Sequence, residues 1–314
     1  MFKIFIISLN KLSEIVKLKN ITLVSTFFCL WLSSQLSPVL QDYLAYAFIL
    51  TFGVLHGAND ITLIHSLSKG KKPIRVLLLV YLGAMALVAF FFLLSKGLAL
   101  LFFILISAYH FGEQHFNKQF TGRTRWKVPL FMSYGFLILF MIFNIKLDKV
   151  VDVIADLTGL VLMASVFKIV LVVALLVFLM LSILLFKKRI LNINPLRELL
   201  YLTVLTVVFA TSSLIWGFAI YFILWHSLPS MKDQLGYLYG EATKKSFVQF
   251  LRTSFLYWFI SIAGLALLYW LLKDSVHYFV TVLLYVLAAI TFPHVIVMSK
   301  VESSETDPKA NIGG

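Results

Sequence analysis

Six of the seven histidines in this chain lie within apolar runs or at their ends, where titratable side chains are rare. Polar groups in such runs are costly to bury in hydrocarbon and normally face the inside of a helical bundle or a cavity. Imidazoles from several helices, with carboxylates behind them, form a nitrogen-rich site suited to iron, copper, zinc or nickel. The six are His56, His65, His110, His115, His226 and His294.

The stretch "TFGVLHGANDITLIHSL", residues 51–67, contains the first part of this pattern. His56 and Asp60 are four residues apart, so a helix places them on one face, where the carboxylate can orient the imidazole or accept its N–H. Gly57 and Ala58 leave room for a close neighbour. The alternative is that the pair makes a polar contact between helices that approach each other at these small residues.

The stretch "ISAYHFGEQHF", residues 106–116, repeats the arrangement. Ser107, His110, Glu113 and Gln114 share a face at spacings of three and four, whereas His115 points elsewhere. A glutamate within an apolar run needs a partner. The alternatives are that Glu113 lies in solvent at the cytoplasmic interface and that His110 is only structural.

Two further histidines lie next to prolines. His226 ends an apolar run in "FILWHSLPSMKDQ", residues 222–234, and Pro229 should disturb helical hydrogen bonding there. His294 follows Pro293 directly in "AITFPHVIVM", residues 289–298. Each histidine alone is equally consistent with a hydrogen-bonded core residue, and only the whole set indicates a metal site.

The composition predicts the elements that position these side chains. The chain is 61% hydrophobic and 13% charged, against about 45–50% and 25% in soluble proteins. Apolar runs of about 20 residues predict an all-α, polytopic transmembrane helical bundle of about nine helices, or eight if one is re-entrant. The predicted spans are 20–37, 43–64, 74–95, 97–115, 128–145, 159–186, 199–225, 247–272 and 276–298.

The net charge of +13 comes largely from short basic loops at 69–75, 123–127 and 187–189. Such loops follow the positive-inside rule and contact anionic lipid, which predicts a cell-membrane protein with a cytoplasmic N-terminus and no nucleic-acid partner. The loop 146–158 is then external. Residues 1–298 are predicted to form one integral-membrane domain beginning with an interfacial segment, 1–19, and residues 299–314 a disordered polar tail.

Taken together, the motifs resemble the Brp/Blh-type membrane β-carotene 15,15′-dioxygenase family. The resemblance runs through "HGAND" (56–60), "HFGEQ" (110–114), "WHS" (225–227) and "PH" (293–294). It implies Fe(II) as cofactor, a carotenoid and O₂ as substrates taken up in the lipid bilayer, retinal as product, and a rhodopsin-type protein that receives the retinal. The residues leave open a diverged metal-dependent lipid or carotenoid oxygenase, and a non-catalytic carrier or transporter.

The resemblance also implies roles for individual residues. His56, His110 and His226 match histidines regarded as iron ligands, with Asp60 and Glu113 as supporting acids. The family typically follows "WHS" with an Arg-His pair, whereas this chain has Pro229 and Ser230. We therefore expect His294, or less readily His115 or His65, to take the fourth position, with a water molecule as the alternative.

One conflict follows from the predicted spans. They place His226 near the outer end of its helix and His56 in the middle of the membrane. If the two rings meet, one boundary must be wrong, for example because residues 226–240 fold back.

Overall fold

A computed structural model describes residues 2–122, 124–274 and 279–306. Within these ranges the secondary structure is helical apart from one isolated bridge between Phe120 and Leu191. Eight helical segments in this part of the chain are long and apolar enough to cross a membrane. The predicted all-α helical bundle is confirmed.

Fourteen α-helices follow one another along the described chain. They are α1 (Phe2–Gln35), α2 (Pro38–Phe48), α3 (Val54–Gly57), α4 (Asp60–Leu67), α5 (Ile74–Leu94), α6 (Lys96–Phe116), α7 (Lys127–Ile145), α8 (Leu147–Thr158), α9 (Ala164–Lys187), α10 (Pro195–Thr211), α11 (Leu214–Ile220), α12 (Leu228–Tyr239), α13 (Lys244–Leu272) and α14 (Phe279–Thr306). Two π-helical stretches, Ile49–Gly53 and Tyr221–Ser227, join α2 to α3 and α11 to α12.

The predicted span 199–225 is wrong, because it combines two helices. α10 ends at Thr211, and α11 begins at Leu214 with Ser213 as its N-cap, whose hydroxyl accepts a hydrogen bond from the Trp216 backbone N–H. Serine favours this position because its side chain satisfies an amide that the first helical turn leaves free. Hydropathy alone misses the break because apolar residues continue on both sides of it.

This boundary resolves the conflict over His226. The helical segment Leu214–Tyr239 continues through the histidine, so His226 lies in its middle and residues 226–240 do not fold back. Pro229 lies in the first turn of α12, directly after the π-helical stretch. The residues before Pro229 are helical as well, so the proline removes one helical hydrogen bond, and the irregular π-helical turn directly before it is where a continuous helix accommodates such a loss.

Three other boundaries differ from the predicted ones. Residues 147–158 form the helix α8 rather than a loop, with Val150, Ile154 and Leu157 buried along one face. The predicted interfacial segment and first span form one continuous helix, α1. The tail prediction is wrong for residues 299–306, which extend α14 and bury Val301.

Some predictions stay open. Residues 307–314 and His277 lie outside the described residues. The single-domain organisation and the orientation of the N-terminus towards the cytoplasm stay predictions.

Helices α6 and α7 pack unusually closely, and the contact is reciprocal. A Cβ atom on Gly112 of α6 would overlap the Phe131 backbone, and one on Gly135 of α7 would overlap the Ala108 backbone. Glycines at such crossings let two helix backbones approach within a membrane. The crossing holds α6 in place on both sides of His110, because Ala108 and Gly112 each lie two residues from it.

We expect Gly135→Ala to destabilise the protein by about 1–3 kcal/mol, because the new methyl group forces the two backbones apart. The measurement is the midpoint temperature of unfolding in detergent. Gly264→Ala on α13 is the matched control, since no heavy atom lies within 4 Å of its added Cβ. Equal midpoints for the two variants would contradict this description of the crossing.

Candidate metal centre

Four of the six predicted histidines meet at one place in the bundle. The ring centroids lie 5.3 Å apart for His56 and His226, 4.7 Å for His226 and His110, 5.3 Å for His110 and His294, and 4.8 Å for His294 and His56. Neighbouring rings are nearly perpendicular, with interplanar angles of 78–89°. All four side chains are buried. The arrangement is a closed ring of four imidazoles, drawn from four separate parts of the chain.

His56 is positioned by the irregular helix around it. The π-helical stretch Ile49–Gly53 ends just before α3, and His56 Nδ1 contacts the Gly53 carbonyl oxygen. A carbonyl can only accept, so Nδ1 donates and Nε2 is the free acceptor. The Gln234 amide donates to the His56 carbonyl oxygen at 2.8 Å, which ties this turn to α12.

Asp60 orients His294 rather than its helical neighbour His56. The backbone turns at Ala58 and Asn59, between α3 and α4, so the predicted shared helical face of His56 and Asp60 does not form. Both Asp60 carboxylate oxygens instead lie 2.9 and 3.0 Å from His294 Nδ1. A carboxylate behind an imidazole fixes its tautomer and leaves Nε2 free to bind a metal.

Tyr81 completes this chain of contacts and was not predicted from the sequence. Its hydroxyl donates to Asp60 Oδ2 at 2.7 Å from the middle of α5. The available signal was that Tyr81 is the single polar side chain well inside an otherwise apolar run, 76–94. The contacts therefore run from Tyr81 through Asp60 to His294.

His226 lies in the second π-helical stretch and is held between aromatic rings. Phe222 stacks on it at 5.6 Å and 22°, and the Phe111 ring lies 4.9 Å away. Single π-helical turns within α-helices are frequent at functional sites. The residue one turn later, Ser230, is buried and accepts a hydrogen bond from Gln234 at 3.4 Å.

The polar residues that follow His110 on α6 have partners outside the four rings. Glu113 is buried, so the alternative of a solvated carboxylate is wrong; it accepts hydrogen bonds from Tyr109 at 2.7 Å and Ser299 at 3.0 Å. Gln114 donates to Asp233 at 2.9 Å. The role of Glu113 as a supporting acid for a metal ligand stays a prediction.

The remaining two histidines do not join the ring. His115 Nε2 lies 2.7 Å from Glu198 and the His115 ring stacks on Tyr134. His65 lies in the last turn of α4, and its backbone carbonyl oxygen accepts a hydrogen bond from the Gly70 N–H in the turn that follows. Among the three candidates for a fourth position, the fold brings only His294 beside His56, His110 and His226.

The donor set fits a metal ion. Both ring nitrogens of His110, Nδ1 of His226 and Nε2 of His294 are buried without a hydrogen-bond partner. Leaving such groups unpaired costs about 1–3 kcal/mol each, so a bound ion is a physical reason for their arrangement. Donor atoms of His56, His226 and His294 all lie within 4.8 Å of one another. Two nitrogens bound to one ion at about 2.1 Å are at most about 4.2 Å apart, so binding by these three residues would require their rings to move closer together. His110 does not belong to this group of three, although its ring borders those of His226 and His294.

The rings border an apolar cavity of about 150 Å³, hereafter the narrow cavity. All four histidines line it, together with aliphatic and phenylalanine side chains of α6, α7, α8, α11 and α14. A nitrogen-rich centre that faces an apolar space suits a reaction on an apolar molecule.

The comparison with protein families agrees with this geometry. Residues 47–302 match the family described as "Beta-carotene 15,15'-dioxygenase". The chain belongs to the β-carotene 15,15′-dioxygenase family. The match contains all four histidines of the ring, along with Asp60 and Tyr81. No curated protein and no solved structure matches the chain.

For this member of the β-carotene 15,15′-dioxygenase family we expect Asp60→Asn to weaken metal binding by about 10–100-fold, because the anionic acceptor behind His294 is lost. Tyr81→Phe should weaken it less, since the carboxylate remains. Competition of the detergent-purified protein with a chromophoric zinc chelator measures the affinity.

Glu113→Gln is the matched control, because the observed partners of Glu113 are Tyr109 and Ser299. Equal weakening by Asp60→Asn and Glu113→Gln would contradict a specific role for the contact between Asp60 and His294.

Proposed function

We propose that this protein cleaves a carotenoid at its central double bond, converting β-carotene and O₂ into retinal, with Fe(II) held by His56, His110, His226 and His294. The observation that carries the proposal is the closed ring of four buried imidazoles facing an apolar cavity, within a chain of this family. Imidazole donors suit iron, although they also suit zinc, copper and nickel.

Bound Fe(II) would supply the activation of O₂. The overall reaction breaks the central carbon–carbon double bond and forms two carbonyl groups, each of which takes one oxygen atom from O₂. The atoms and electrons balance without an external reductant. The residues of the chain therefore have to bind, orient and shield the reactants, and no separate electron donor is needed.

Asp60 and Tyr81 position the centre through His294. Asp60 holds the proton on His294 Nδ1, so that His294 presents Nε2 to the ring centre. The Gly53 carbonyl does the same for His56. Such fixed tautomers keep the imidazoles neutral donors, as metal binding requires. Glu113 supports the same site only indirectly in this proposal, by joining α6 to α14 through Ser299.

The walls of the site support an apolar substrate. The narrow cavity offers few polar groups besides the histidines, so it selects by shape and apolar contact. Carotenoids partition into lipid, and eight apolar helices suit a multi-pass protein that meets them there. The proposal also includes location in the cell membrane, a cytoplasmic N-terminus and a rhodopsin-type protein that receives the retinal.

A second candidate function is oxygenation of a different carotenoid or of another lipid. Ser230 favours it, because the resembled family places a histidine four residues after the one matched by His226. Product analysis over several polyenes by chromatography separates the two candidates. Retinal from β-carotene supports the first, and oxidised products from other polyenes alone support the second.

The histidine assignment has a direct test with a control on the same helix. We expect His56→Ala and His110→Ala to lose bound iron and retinal formation together, at least 100-fold in activity, because each removes one donor from the ring. His115→Ala should keep both, since His115 pairs with Glu198 instead. Iron by mass spectrometry and retinal by chromatography in aerated detergent solution are the measurements.

Full iron occupancy in both ring variants would contradict the ligand assignment. Intact β-carotene after incubation with fully iron-loaded wild-type protein would contradict the proposed reaction.

A further inference from the structure

A second, larger cavity of about 750 Å³ lies beside the candidate metal centre. We refer to it as the wide cavity. Side chains of α5, α13 and α14 form most of its walls, with Asp60 and Tyr81 at one end. Ligand pockets in proteins commonly measure about 300–1,000 Å³, so the wide cavity has the size of a binding site.

The wide cavity and the narrow cavity share a thin wall. Val54, Gly57 and Ile290 line both of them. Gly57 has no side chain, and a Cβ atom there would lie 3.4 Å from Ile290 Cγ2 and 3.8 Å from His294 Nδ1. The two spaces therefore approach each other beside the histidine ring, between the backbone of Gly57 and the side chain of Ile290.

The narrow cavity is too small to hold a whole carotenoid. A cavity of about 150 Å³ accommodates a molecule of the size of benzene. A molecule cut at its centre must also extend from the metal in two directions, with equal lengths on both sides. The narrow cavity suits part of the thin polyene chain, whereas the bulkier terminal ring needs a wider space.

We propose that the wide cavity binds one terminal half of the carotenoid, which passes Gly57 so that the central double bond lies at the histidine ring. This inference rests on the proposed function and adds a second binding site to it. Gly57 and Ile290 then set how far the molecule slides in, and so which bond lies at the metal.

The wide cavity also reaches the outer surface of the bundle. Its lining residues Leu82, Leu93 and Ile260 are 47%, 85% and 57% exposed, and they belong to the two helices with the least buried spans, α5 and α13. An apolar molecule dissolved in lipid would enter there without crossing water. The position of the mouth thus agrees with an apolar occupant.

The test uses substitutions that fill the wide cavity and do not change any of the four histidines. Gly264 of α13 lines it, and no heavy atom lies within 4 Å of a Cβ added there, so Gly264→Phe adds a ring to the cavity. Gly83→Phe is the matched control, because Gly83 is equally open, lies on α5 and does not line the cavity. Ala289→Leu on α14 fills the same space from another wall.

The measurement is the affinity of metal-free, detergent-purified full-length protein for β-carotene, read from the carotenoid absorption that stays with the protein. We expect Gly264→Phe and Ala289→Leu to bind at least 10-fold more weakly than wild type, and Gly83→Phe to bind equally. The unfolding temperature and zinc affinity should be unchanged in all three variants.

Wild-type affinity in both cavity variants would overturn the inference, as would a wild-type protein that does not retain β-carotene. Because the assay needs no turnover, a protein that binds β-carotene through the wide cavity but forms no retinal would contradict the proposed function alone.

Discussion

Buried imidazoles need a partner for each ring nitrogen, and this constraint explains much of the local structure. His56 and His294 each have one nitrogen paired within the protein, with the Gly53 carbonyl and the Asp60 carboxylate. The other nitrogens of these two rings, His56 Nε2 and His294 Nε2, are therefore both acceptors and cannot hydrogen-bond to each other. A shared cation is the chemical partner that satisfies them together.

The irregular parts of the helices help to supply partners for the ring nitrogens. A regular helix would place Asp60 one turn above His56 on the same face. The turn at Ala58 and Asn59 instead directs Asp60 to His294, while the π-helical stretch before α3 sets the Gly53 carbonyl against the His56 ring. A second π-helical stretch contains His226 and precedes Pro229. Two of the four histidines, His56 and His226, thus lie in or next to irregular helical stretches, whereas His110 and His294 lie within the α-helices α6 and α14.

The sequence predicts the helical class and the six candidate histidines because both depend on local information, namely apolar run length and residue type. It does not predict which carboxylate meets which imidazole, since the contact of Asp60 with His294 joins residues 234 positions apart. Tyr81 is missed for the same reason. The break at Ser212 and Ser213 is invisible to hydropathy, although serine before an apolar run is a recognisable N-cap signal. His115 resembles His110 in sequence, yet the fold gives it Glu198 as a partner.

In the proposed centre four histidines hold one iron ion, with His294 in the place of a second histidine after His226. X-ray absorption spectroscopy of the iron-loaded protein tests it most directly, because the fine structure counts imidazole ligands. We expect four nitrogen donors at about 2.1 Å with imidazole scattering in the wild type, and three in His294→Ala. An unchanged imidazole count in that variant, or fewer than four imidazoles in the wild type, would contradict it.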